Sequence, residues 1–100
     1  MEKDKSTQLF YTIVYTFQMQ TLINLGKISN PATNKTETDL DAAAMSIDII
    51  EMLEEKTKGN LTEDENRFLQ EALTNLRLNY AAEKSKPPET GQEDKPEEKK

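Results

Sequence analysis

The first quarter of the chain is apolar on every side of a helical wheel. From Ser6 to Leu25 it contains no charged residue, and its polar positions are all Ser, Thr, Gln or Asn. The apolar positions do not alternate strictly and the segment is too long for one strand, so we predict a helix over about residues 7–25. Ser6 or Thr7 is a candidate cap for its start, and Gly26 for a left-handed end.

A helix that is apolar all round is buried all round. Two further helices in a chain of this size cover only part of it, because small domains bury a limited share of their surface. We therefore expect a second molecule to cover the remaining side of the first helix, and a homodimer is the favoured assembly. The residues predicted to form this interaction face are Phe10, Ile13, Val14, Phe17 and Leu22.

Two helices with one apolar face each follow the polar connection at residues 27–38. The second is predicted over about residues 39–58 and the third over about residues 63–82. In the second helix the apolar residues at helical spacing are Leu40, Ala43, Ile47, Ile50 and Leu53. In the third they recur at spacings of four, three and four, as in a short coiled coil, at Leu69, Leu73, Leu76 and Tyr80.

The stretch KTKGNLTEDENRFL, Lys56 to Leu69, is interpreted as the link between these two helices. Gly59 is expected to end the second helix, while Thr62 and Glu65 form a capping box at the start of the third. A phosphate loop needs a different glycine and lysine spacing, and a calcium loop needs Gly where Glu65 stands. The short link therefore predicts an antiparallel helical hairpin.

Composition excludes several classes of function. The net charge is -6, with 13 basic and 19 acidic side chains, which argues against nucleic acid and anionic lipid as main partners. The chain has no Cys and no His, so it lacks thiolate chemistry and the commonest general base and metal ligand. We predict no catalytic, cofactor-binding or metal-binding residue and no enzyme activity. The acidic residues of the second helix are interpreted as a solvated face: Asp41, Asp48, Glu51 and Glu55.

Residues 83–100 have a different composition from the rest. They hold three of the four prolines, many Lys and Glu, and hardly an apolar residue. Such a segment cannot bury enough surface to fold, so we predict a disordered tail and a small helical domain over residues 1–82.

The N-terminal sequence bears on location. The start of the chain lacks the features of a signal peptide, and its Gln, Asn and Thr residues make membrane insertion of the first helix costly. A cytoplasmic location and no membrane span are the expectation.

Three motifs carry a resemblance to a known family: LGKISNP at Leu25 to Pro31, MLEEKTKGNLTEDE at Met52 to Glu65, and LRLNY at the end of the third helix. Over about residues 8–80 the chain resembles small bacterial proteins of domain-of-unknown-function family eighteen-forty-four. The resemblance implies a bacterial, helical, cytoplasmic protein with no assigned activity. It carries over no catalytic or binding residue.

Two hypotheses of function follow. In the first, the protein is a non-enzymatic helical interaction or scaffold protein that self-associates through its uncharged N-terminal helix. In the second, it is an adaptor whose N-terminal helix docks on another protein or on the membrane surface. No cofactor is expected in either case.

Overall fold

The computed structural model describes residues 1–86, which form three α-helices and no strand within that range. The helices are α1 (Lys3–Asn24), α2 (Leu40–Lys56) and α3 (Glu63–Ser85). The all-α class and the three predicted helices are confirmed. The predicted tail lies outside the described residues from residue 87 onward.

The start of α1 differs from the prediction. The helix begins at Lys3, where Glu2 occupies the N-cap without a side-chain cap bond. Thr7 lies inside the helix, and its hydroxyl donates to Glu65 of α3 instead of capping α1. The capping signal at Ser6 and Thr7 was misleading because a hydroxyl near a helix start can also serve a tertiary contact.

The end of α1 is the predicted glycine stop. Gly26 has φ +75°, its N–H donates to the carbonyl of Ile23, and the N–H of Lys27 donates to that of Leu22. These two bonds, 3.0 and 2.9 Å long, form a Schellman motif. A Cβ at Gly26 would lie 2.6 Å from Thr38 Oγ1, so the close approach of the connecting segment also requires glycine here.

The connection between α1 and α2 is an ordered hairpin-like loop. Leu25 pairs with Thr38, and Asn30 pairs with Lys35, in isolated antiparallel bridges. The side chain of Asn30 accepts the N–H of Ala32 at 2.8 Å, which forms the turn predicted at Asn30-Pro31. The loop brings the chain back to begin α2 beside the end of α1.

The link between α2 and α3 confirms the capping box. Thr62 Oγ1 accepts the N–H of Glu65 at 3.1 Å, and Glu65 Oε1 accepts the N–H of Thr62 at 2.8 Å. Gly59 is left-handed at φ +87°, as predicted. However, α2 ends at Lys56 with Thr57 as its C-cap, so Gly59 is the second residue after the cap and not the first. At its other end α3 continues through residues 83–85, which the prediction gave to the tail, and Lys27 pairs with Glu83 there at 3.5 Å.

The three helices pack around one core, with α1 parallel to α3 and α2 antiparallel to both. Contacts between α1 and α3 join their beginnings (Thr7 to Glu65) and their ends (Lys27 to Glu83). Across the predicted hairpin, Arg77 of α3 pairs with Glu51 of α2 at 2.8 Å. The buried core cluster consists of Val14, Ile47, Ile50, Leu69, Ala72, Leu73 and Leu76.

Candidate interaction surface

One side of α1 faces the core of the molecule. We call this series of residues the inner seam: Phe10, Val14, Phe17, Thr21 and Leu25. Val14 and Thr21 are completely buried, and Phe10 and Phe17 pack against the core cluster. The hydroxyl of Thr21 donates to the carbonyl of Phe17 at 2.7 Å, so this buried polar group keeps a hydrogen-bond partner. The inner seam is the part of α1 that the fold of one chain requires.

The opposite side of α1 carries a second series, which we call the outer seam: Leu9, Thr12, Thr16, Met19 and Ile23. Its spacings of three, four, three and four are those of a heptad repeat, the pattern by which one helix packs along another. Leu9 is 48% exposed, Thr12 and Thr16 are exposed, and the flanking Ile13 and Tyr15 are 40% and 56% exposed. No other described element lies over the first half of this seam.

The outer seam is less polar than its threonines suggest. Thr12 Oγ1 donates to the carbonyl of Gln8, and Thr16 Oγ1 donates to that of Thr12, both at 2.8 Å. The hydroxyl donors are satisfied within the helix itself, so a partner surface need not supply acceptors for them. A partner would therefore contact chiefly the methyl groups of Thr12 and Thr16, and these small side chains leave room for larger ones.

Two shallow grooves flank the outer seam, and no charged side chain is among their lining residues. The first lies between α1 and α3, where the rings of Tyr11 and Phe68 meet edge to face with centroids 4.8 Å apart. The second follows the N-terminal half of α1 beside Leu9 and Ile13. Together with the outer seam they form a continuous uncharged surface.

Four of the five residues predicted to form the interaction face pack toward the core of the chain. Val14 is buried, and Phe10, Phe17 and Leu22 are partly buried against the core cluster. Ile13 alone of the five is exposed, beside the outer seam. The residues that sequence reasoning missed are Leu9, Thr12, Tyr15 and Thr16. Their signal was the second heptad series, which is visible in the sequence once it is separated from the first.

Glu65 holds α1 against α3. Its side chain is 6% exposed, Oε2 accepts the hydroxyl of Thr7 at 2.5 Å, and Oε1 accepts the N–H of Thr62. The hydrogen bond from Thr7, followed by that from the Thr62 backbone, lowers the pKa of this carboxyl below its ordinary value. Sequence reasoning found the capping role of Glu65 but not the contact with Thr7, which depends on how the helices pack. This contact helps to set how α1 lies on the hairpin.

The remaining candidate sites have structural explanations. Of the acidic residues on α2, Asp41, Asp48 and Glu55 are exposed, and Glu51 pairs with Arg77 of α3. Within residues 1–86, no group of three or more His, Cys, Asp or Glu side chains is placed to hold a metal ion.

Apart from Met1, which lines the second groove, the other exposed large apolar side chains lie on α2 and α3. Met45 and Met52 of α2 are 61% and 43% exposed, and both lie on the helix that carries the acidic residues. Leu78 of α3 is 67% exposed and follows Arg77 in the chain. Among the residues that the structure describes, α1 therefore carries a group of exposed apolar residues beside grooves that no charged side chain lines. No helix in this part of the chain has the length and apolar character needed to cross a membrane.

These features define a small all-α domain in which one helix carries apolar residues on two opposite sides. The chain belongs to the family described as "Domain of unknown function (DUF1844)", whose model matches residues 7–82 and so covers nearly all of the three helices. The resemblance drawn from the sequence motifs is confirmed. Neither the curated proteins nor the solved structures contain a match to the chain.

Proposed function

We propose that this protein is a non-enzymatic helical interaction or scaffold module of the bacterial cytoplasm, which self-associates as a dimer through the outer seam of α1. The observation that carries the proposal is the uncharged, exposed side of α1 in a chain of which 32% is charged. Helices with apolar residues on both sides are found where both sides are covered.

Charge indicates which side of the chain a second copy would use. Each copy has a net charge of -6, and exposed carboxylates lie on α2 and on the first turn of α3. Two copies that approach through these surfaces repel each other. Contact through the outer seam and its flanking grooves brings no like charges together, so it is the side on which self-association meets least opposition.

The proposal of a non-enzymatic role rests on the side chains available. The chain has no His or Cys, and Glu65, the one buried carboxylate among the described residues, is occupied by Thr7 and Thr62. Catalytic sites need perturbed polar groups gathered in a cleft and free to meet a substrate. Glu65 is perturbed by a contact that fastens two helices together.

Light scattering on the purified chain at micromolar concentration tests the proposal. We expect twice the mass of one chain for the wild type and a monomer for Ile13→Asp, because the new charge would be buried without a partner in the dimer. Leu78→Asp is the matched control, an equally drastic change at an exposed site on α3, and should leave the dimer intact. A wild-type chain that stays monomeric at tens of micromolar contradicts self-association.

The second candidate is an adaptor whose α1 docks on another protein or on the membrane surface. The aromatic groove at Tyr11, Tyr15 and Phe68 favours it, because aromatic pockets often anchor a partner's apolar side chain. This function predicts a monomer at all concentrations. It also predicts either sedimentation with lipid vesicles or capture of a cellular protein, each of which Ile13→Asp abolishes and Leu78→Asp does not.

A further inference from the structure

The solvent-facing side of α2 carries a regular series of exposed residues in which acidic and methionine side chains alternate. We call this series the α2 stripe: Asp41, Met45, Asp48, Met52 and Glu55. Its spacings of four, three, four and three are those of a heptad repeat. At about 100° per residue, the five positions fall within one narrow side of the helix. The buried residues of α2 lie on the opposite side: Ala43, Ser46, Ile47 and Ile50.

The carboxylates of the α2 stripe differ from the others on the same helix. Glu51 pairs with Arg77 of α3, and Glu54 accepts a hydrogen bond from Gln70, so these two carboxylates serve the packing of α2 on α3. Within residues 1–86, the side chains of the three stripe carboxylates form no salt bridge or hydrogen bond. Glu55 also lies in the last turn of α2, where the helix dipole disfavours an anion. The fold of the chain therefore does not account for it.

The two methionines of the stripe are not used in the core either. Met45 is 61% and Met52 is 43% exposed, and neither belongs to the core cluster or to the residues packed against it. A single exposed apolar side chain is ordinary on a protein surface, but these two lie one heptad apart on the same line of the helix. Methionine is flexible and polarisable, so it adapts to the side chains of a partner. Acidic residues alone are typical of a solvated face, whereas methionines between them suit a contact.

We propose that the α2 stripe binds a basic amphipathic helix of a partner protein, one in which Lys or Arg alternates with an apolar residue at the same heptad spacing. The carboxylates of the stripe repeat every seven residues, about 10.5 Å along the helix, and the methionines between them repeat at the same distance. A partner helix with this repeat places each cation beside a carboxylate and each apolar side chain beside a methionine. This inference concerns a different side of the domain from the outer seam and holds whether or not the chain is a dimer.

Charge determines the kind of partner. The chain has a net charge of -6, and the first turn of α3 adds further carboxylates to those of the stripe. Lys56 lies beside the C-terminal end of the stripe, so three carboxylates stand against one ammonium group. A basic helix is attracted to this side of the molecule, while an acidic partner is repelled from it. The stripe is only about 21 Å long, so we expect a weak complex that salt disrupts.

A synthetic peptide tests the proposal. It is a helix of about three heptads in which Arg and Leu alternate at intervals of four and three residues, with Ala and Gln elsewhere. The peptide carries a fluorophore, and its anisotropy is followed as the full chain is added at low ionic strength. We expect saturable binding that weakens as salt is added. A peptide with Glu in place of each Arg is the control and should not bind.

Two variants of the chain locate the binding site. Asp48→Lys reverses the charge at the middle of the stripe and should weaken binding of the Arg-Leu peptide about tenfold. Met45→Gln combined with Met52→Gln removes the apolar contacts, keeps the net charge, and should also weaken binding about tenfold. The matched controls are Glu71→Lys and Leu78→Gln at exposed positions of α3, which should change binding by no more than about twofold. Circular dichroism confirms that each variant is folded.

Three results would overturn the inference. Equal weakening by Asp48→Lys and Glu71→Lys would mean that the peptide responds only to the overall charge. Unchanged binding in the double methionine variant would leave the apolar half of the recognition without a role. The absence of saturable binding by the Arg-Leu peptide, with the chain at hundreds of micromolar, would remove the site. Each result is read from peptide binding and not from the mass of the chain, so failure here is distinguishable from failure of self-association.

Discussion

Helices α1 and α3 run parallel and have almost the same length, 22 and 23 residues, yet they present opposite chemistry to solvent. The exposed side of α3 begins with Glu63 and Asp64 and continues with Arg67 and Glu71. From Ser6 onward, the exposed side of α1 carries Leu9, Ile13 and Tyr15 and no charge. Both helices contribute one apolar seam to the shared core, so the second seam of α1 is surplus to the fold of a single chain. That difference is the reason to look for function on α1.

The largest expected effect separates the two sides of α1 at neighbouring positions. Val14→Asp places a charge in a fully buried site without a partner, and we expect it to cost at least about 4 kcal/mol, enough to unfold much of a marginally stable domain. Ile13→Asp should instead keep the helical fold and lose only the assembly. Circular dichroism with urea denaturation, alongside light scattering, measures both. Equal unfolding by the two variants would contradict the assignment of separate inner and outer sides.

A smaller effect is expected at the ends of α1 and α2. Gly26→Ala adds a Cβ to a left-handed residue and brings it within 2.6 Å of Thr38 Oγ1, whereas Gly59→Ala meets nothing within 4 Å. The left-handed conformation alone costs roughly 1–2 kcal/mol, so Gly26→Ala should lose clearly more stability than Gly59→Ala. The midpoints of urea denaturation give the comparison. A loss at Gly59 equal to that at Gly26 would show that the contact with Thr38 adds nothing.

The starts of α1 and α3 also differ. Thr62 caps α3 with a reciprocal pair of hydrogen bonds, while Glu2 at the start of α1 makes no side-chain cap bond. Thr62→Ala should therefore cost about 1 kcal/mol. Glu2→Ala is the matched control and should have almost no effect on thermal unfolding. A loss of stability in the control would indicate that α1 is capped after all.

The smallest effect concerns the bond that joins the two starts. Because Thr7 and Thr62 hold the pKa of Glu65 below its ordinary value, the carboxylate stabilises the fold at pH values above the pKa of an unfolded glutamate, about 4.3. That contribution is lost as the pH falls through the lowered pKa. Thr7→Val removes the largest cause, so the pKa of Glu65 should rise and the loss of stability on acidification should shrink.

Carbon-detected NMR titration of the Glu65 carboxyl measures the shift directly. Thr12→Val, which removes an exposed hydroxyl on the other side of the same helix, serves as the control and should leave the titration of Glu65 unchanged. An unchanged pKa in Thr7→Val would mean that the two helices are not joined at this point.

Most of the fold was open to prediction from local signals. The capping box at Thr62 and Glu65 and the left-handed Gly26 are short-range chemistry, and each lies where the sequence indicated. Positions that depend on packing were not predictable in the same way. The extension of α3 through Ser85 accompanies the pairing of Lys27 with Glu83, two residues far apart in the chain.

The interaction surface was the harder part of the sequence. When the apolar residues of a helix lie on one side only, the sequence shows which side is buried. When apolar residues lie on all sides, the sequence does not distinguish the buried side from the exposed one. The predicted face therefore joined Val14, a core residue, with Ile13, an exposed one. Only the packing of α2 and α3 against α1 distinguishes the two sides, and after that the second heptad series becomes recognisable.

The position of α1 in the chain has a consequence for biosynthesis. This helix is synthesised before α2 and α3, and the roughly 60 residues that follow take on the order of 3–12 s to be made. Until α2 and α3 have been made, both the inner seam and the outer seam of α1 remain exposed to solvent. Many of its positions hold Thr or Gln in place of Leu or Phe, which lowers the tendency of the nascent segment to aggregate through apolar contacts. The same polar but uncharged residues that allow two folded chains to associate therefore also limit the aggregation of a chain that is still being synthesised.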